Sequence, residues 1–100
     1  MALGMLEALR HSMLNEITAL IDADVGAGDL TIYDGTQPAT GGAATTALAV
    51  CPLTDPAAPV ASGGVLTFST ITPDTTGVAG TASWFRVTDN SGDFVLDGTA

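Results

Sequence analysis

The apolar residues between Leu3 and Ile21 recur at the helical period, and nothing after Gly28 does. Leu3, Leu6, Leu9, Met13, Ile17 and Leu20 form a stripe that Met5, Leu14 and Ile21 widen, with Glu7, Arg10, His11, Asn15 and Glu16 on the other side. That spacing predicts an amphipathic helix within residues 1–23, ending near Asp22 where Gly26 and Gly28 offer flexible backbone. Its broad stripe suits covering a face of its own sheet, with docking into a neighbour as the alternative use.

The remainder, 29–100, reads as short strands cut by turn residues. Leu30 to Tyr33, Thr45 to Leu53 and Gly64 to Ile71 carry the β-branched and bulky residues that strands favour, separated by Gly, Thr and Pro. A hairpin is expected over 81–98, where two alternating apolar runs flank Asp89-Asn-Ser-Gly-Asp93. Parity fixes its register, because residues facing each other across a hairpin share a face. Asp89 opposite Phe94 sets Val87 against Leu96 and Arg86 against Asp97. One face then holds Phe85, Val87, Phe94 and Leu96, and the other a surface Arg86/Asp97 pair with Trp84. The expected fold is α+β and mainly β: one domain of 100 residues, its helix packed on an antiparallel sandwich or jelly-roll-like sheet.

Charge limits what such a domain could bind. Eleven carboxylates face only Arg10 and Arg86, for a net charge of −9, so no basic patch exists to hold nucleic acid or an anionic membrane. Only 13% of residues are charged, whereas freely soluble surfaces usually carry about a quarter or more. A surface so rich in Ala, Thr and Gly suits packing against other subunits. No membrane-spanning run or signal-peptide pattern is present. Cys51 is alone, which rules out an intrachain disulfide and a cysteine-based zinc site.

Catalytic and cofactor constellations are missing as well. Asp22, Asp24 and Asp29 resemble the start of a calcium loop, but Gly26 and Tyr33 stand where further ligands belong, so they read as a solvated helix exit. His11 is the single histidine, read as solvated on the helix surface, and no Gly-x-Ser-x-Gly elbow supplies a nucleophile. The glycine pairs lack the spacing and the preceding strand of a dinucleotide site. The chain is therefore expected to be no enzyme, with no cofactor and no metal. Trp84 beside Phe85 could serve as a glycan-stacking platform or an interface anchor, or lie buried. Trp84, Tyr33, Arg86 and Asp97 are the interface candidates.

Leu30-Thr-Ile-Tyr-Asp-Gly-Thr-Gln-Pro-Ala-Thr40, Ala61-Ser-Gly-Gly-Val-Leu-Thr67, Gly80-Thr-Ala-Ser-Trp-Phe-Arg-Val87 and Leu96-Asp-Gly-Thr-Ala100 follow the helix in order. This ordered set resembles a family of small uncharacterised proteins of tailed bacteriophages and prophages, encoded among virion-structure genes. The resemblance implies a non-enzymatic virion component, assembled in the host bacterial cytoplasm. A capsid decoration or cement protein is expected foremost, contacting the major capsid protein or neighbouring virion subunits and forming a homo-oligomer. The alternatives are a head-tail collar or tail-associated protein, or a glycan-binding module on the virion. Members of that family continue past the position of Ala100 with at least one more strand. A strand partner for the sheet is therefore expected to be missing here or to come from another subunit.

Overall fold

The computed structural model describes residues 4–23 and 26–100. Helix α1 (Glu7–Ile21) is followed by strands β1 (Asp29–Tyr33), β2 (Ala47–Pro52), β3 (Trp84–Thr88) and β4 (Phe94–Thr99). All pairings are antiparallel, in one sheet of order β2-β1-β3-β4. The fold is α+β and mainly β.

Register sorts the side chains of the sheet into two faces. Leu30 lies opposite Val87 and Ile32 opposite Phe85, while Val87 meets Leu96 across the hairpin, giving an apolar face. Tyr33 opposite Trp84, and Thr31 beside Arg86 beside Asp97, make up the other. The core sits on the apolar face, where Ile21, Leu53, Ala57 and Val87 are buried and Ile17, Leu30, Phe68, Phe85, Val95 and Leu96 pack against them. Helix and sheet meet closely at Gly28: a Cβ there would strike the Thr88 carbonyl oxygen and come within 2.8 Å of Ile21 Cγ2.

The hairpin follows the expected register except at its tip. Val87 opposes Leu96 and Arg86 opposes Asp97, but Phe94 pairs with Thr88 rather than Asp89, and the register shifts between Val87 and Thr88. This bulge gives β4 one extra residue, moving Phe94 from the apolar face to the Arg86 face while Val95 packs on the core. The Asp89 side chain explains the tighter turn, because it accepts hydrogen bonds from the Ser91 and Asp93 N–H groups, both at 2.9 Å.

The strand expected at 64–71 does not form. That region holds only an isolated bridge, Ser62 to Val65, and Ser69 donates its N–H to the Ala57 carbonyl instead of to a ladder. Gly63 and Gly64 both have positive φ, which bends the chain where an extended strand would begin. Prolines at 52, 56, 59 and 73 remove further ladder donors. Among the described residues the layer over the apolar face is therefore α1 and irregular chain, not the second sheet of a sandwich.

The two sheet edges differ. At β2, Val50 donates its N–H to the Asp74 carboxylate at 2.9 Å, and Val78 and Thr72 donate theirs to the Leu48 and Pro52 carbonyls. Segment 72–78 thus covers that edge. Along β4, Ala100 donates inward to the Ser83 carbonyl, so ladder alternation turns the backbone groups of Asp97 and Thr99 outward. No backbone hydrogen bond reaches them from the described residues.

The orientation of α1 departs from the expectation of self-coverage. Ile21 is buried and Ile17 packs on the core, but Leu6, Leu9, Met13 and Leu20 stay exposed, Leu6 at 74%. Polar residues instead grip the neighbouring segment 57–64. The Asp22 carboxylate accepts the Ala57 N–H, Asn15 Oδ1 accepts the Ala61 N–H at 2.8 Å, and His11 Nε2 accepts the Gly64 N–H at 2.9 Å. The reason is backbone accounting: segment 57–64 lies outside any ladder, so its buried N–H groups need side-chain acceptors. Asp22→Ala would strand the Ala57 N–H on a residue that is 1% exposed. It is expected to cost about 1–3 kcal/mol, measured by urea denaturation, with faster amide exchange concentrated in 57–64. Exchange unchanged in that segment would rule out this role.

Candidate functional site

The four candidates from the sequence come together on the polar face of the sheet. Tyr33 and Trp84, cross-strand neighbours on β1 and β3, stack with ring centroids 4.3 Å apart and planes inclined by 15°. The Arg86 guanidinium lies 5.2 Å from the Trp84 ring centroid and 5.4 Å from that of Phe94. The bulge in β4 is what makes the second of these contacts possible.

Arg86 and Asp97 face each other across the hairpin and bond twice, Nε to Oδ1 at 2.7 Å and Nη2 to Oδ2 at 3.0 Å. Their side chains are 11% and 4% exposed, so the pair is buried rather than on the surface as its position in a hairpin suggested. The covering layer is segment 34–46. Arg86 Nη2 donates to the Gly42 carbonyl at 2.8 Å, Gly41 donates its N–H to Asp97 at 3.4 Å, and Trp84 Nε1 donates to the Asp34 carbonyl and Thr45 Oγ1. Thr45 in turn donates its hydroxyl to the Asp34 carbonyl.

Each charge tunes the other. The hydrogen bonds from Arg86 hold the Asp97 carboxyl below its ordinary range against the opposing effect of burial, and Asp97 raises the guanidinium pKa in the same way. Both groups remain charged and doubly bonded to each other, and Trp84 is fully buried. The constellation therefore pins segment 34–46 to the sheet and closes the Trp84 ring to a ligand. Asp34, Thr45 and Gly42 are the members that sequence reading missed. The signal available was that a buried indole N–H needs an acceptor.

The other face carries an apolar cleft of about 390 Å³ lined by Ile17, Leu30, Ile32, Phe68, Phe85 and Leu96, among others. With no polar atom in its wall, it can hold hydrocarbon but cannot transfer a proton or orient a polar substrate.

The remaining titratable groups do not assemble into chemistry. His11 is half-buried against Gly64, not solvated. Its Nε2 also lies 3.5 Å from Glu7 Oε1, one turn earlier on the same helix. Asp22 is spent on Ala57, Asp29 begins β1, and Asp24 lies outside the described residues. Among the described residues no group of three His, Cys, Asp or Glu side chains is placed to hold a metal, and no helix is long and apolar enough to cross a membrane.

Among the exposed large apolar side chains, Leu6, Leu9, Met13 and Leu20 fall together on one flank of α1. No family profile, curated protein or solved structure matches the chain, so its own geometry and surface chemistry carry the functional argument.

Proposed function

We propose that this chain is a non-catalytic structural component of a tailed-bacteriophage particle. In this reading it is a decoration protein that stabilises the capsid by packing against the major capsid protein, and it is assembled in the host cytoplasm. The observation that carries the reading is the exposed helix flank: four large apolar side chains stand outward on a domain that already has a core. Contiguous exposed apolar residues mark contact surfaces, and a repeated subunit needs them. The order of the sequence segments resembling phage virion proteins supplies the setting.

The glycan-reading alternative loses its main support, because Trp84 is fully buried and Tyr33 is stacked on it. A collar or tail position remains the competing structural role. Quantitative mass spectrometry of purified particles separates the two. A copy ratio near one against the major capsid protein is expected for decoration. A ratio of a few per cent reassigns the chain to collar or tail, and its absence from particles refutes both.

A further inference from the structure

We infer that the apolar cleft on the core face of the sheet is a binding slot for one uncharged, mainly hydrocarbon small molecule, a small aromatic or a short neutral alkyl chain. The inference does not depend on the virion reading.

The floor of the slot is a part of the sheet that ought to be sealed. β1 and β3 are the two central strands, and the side chains that central strands turn toward a core are ordinarily covered. Val87 meets that expectation at 2% exposed, but Leu30, Ile32 and Phe85 on the same face stay half-buried. The cover parts above them. On one side α1 packs against β4 and contributes Ile17 to the wall. On the other, segment 68–71 contributes Phe68 and Ile71, and the Thr72 N–H on the Pro52 carbonyl ties it to β2. The ring best able to fill the gap is held aside. Phe85 lies over Gly98 of β4, where an added Cβ would stand 2.5 Å from its Cζ.

The chemistry of the wall selects the occupant. Because no polar atom lines the cleft, a polypeptide segment laid in it would leave backbone N–H and C=O groups without partners, a cost that hydrocarbon does not incur. Water is a poor filler for the same reason. An anionic ligand is disfavoured as well. Arg10 and Arg86 are the only arginines in a chain without lysine, Arg86 is bonded to Asp97 on the opposite face, and Arg10 does not line the slot. The net charge of −9 adds a general repulsion. The volume of about 390 Å³ lies near the lower end of small-molecule sites, roughly 300–1,000 Å³, which limits the occupant to one small molecule.

Fluorescence titration of the 100-residue chain with phenylnaphthylamine, an uncharged dye that brightens in apolar surroundings, tests this. One saturable site is expected, with a Kd on the order of 10–100 µM. Decanol should displace the dye, and decanoate should do so at least about tenfold more weakly. Ile32→Trp fills the slot from its floor, and Gly98→Ala drives the Phe85 ring off β4 toward the slot. Each is expected to raise Kd more than about tenfold while a cooperative urea transition is retained. Leu9→Ser combined with Met13→Ser, on the exposed α1 flank, is expected to leave Kd within about twofold. The inference is overturned by any of four results: no saturable binding up to the solubility of the dye, competition by decanoate equal to that by decanol, full affinity in both slot variants, or a Kd that weakens with protein concentration because a second copy takes the slot.

Discussion

Trp84→Ala is expected to cost about 3–5 kcal/mol, a large share of the roughly 5–15 kcal/mol that a domain of this size commands. The indole is fully buried, stacks on Tyr33, lies beside the Arg86 guanidinium and donates to Asp34 and Thr45. Its removal empties the space beneath segment 34–46 and frees that segment's main tie to the sheet. Urea denaturation followed by far-ultraviolet dichroism measures the loss, since the variant lacks its fluorescent reporter. Trp84→Phe keeps a stacking ring and gives up the N–H, so a smaller loss of about 1–2 kcal/mol is expected. A loss below about 1 kcal/mol in the alanine variant would mean that segment 34–46 is held by other contacts.

The second large effect concerns Arg86 and Asp97. Breaking a buried pair leaves one charge uncompensated, and Arg86→Met is expected to cost about 3–5 kcal/mol because Asp97 retains only the long bond from Gly41. Asp97→Leu falls at the lower end of that range, since Arg86 keeps the Gly42 carbonyl and two aromatic faces. The double variant should regain much of the loss, and a double-mutant cycle measures the coupling. Additive losses would show that the pair contributes no coupling of its own.

The pair also fixes the direction of the pH dependence. The Asp97 carboxyl binds its proton less readily folded than unfolded. Its contribution is therefore complete above the ordinary carboxylate range near 4 and is lost as pH falls through the lower folded value. Arg86 adds nothing in the acid range, because its pKa is moved upward from an already high value. Acid denaturation of the wild type should accordingly be steeper than that of the double variant.

The features legible in the sequence are those set by local pattern. The end of α1 at Ile21, β1 at the Leu30 run and the facing of Arg86 and Asp97 all follow from periodicity, parity and turn residues. What was not legible depended on long-range hydrogen bonding. Nothing in the stripe from Leu6 to Leu20 says that Asn15 and Asp22 will be claimed by Ala61 and Ala57, more than thirty residues away. Those bonds rotate the helix so that its polar side faces protein. Likewise, the alternation around Phe94 cannot register an extra residue in β4, which follows from the Asp89 turn and puts the ring on the Arg86 face. Tyr33, Trp84, Arg86 and Asp97 share one face of the sheet, as parity indicates, but their burial is not legible, because segment 34–46 contains too few apolar residues to look like a covering layer.

The capping of β2 by Asp74 and Val78 leaves the sheet with a single growing end. A second copy of this fold added at β4 would present its own capped β2 edge on its far side. Edge-to-edge addition of identical copies would therefore stop after one step, because segment 72–78 already holds the β2 edge of each.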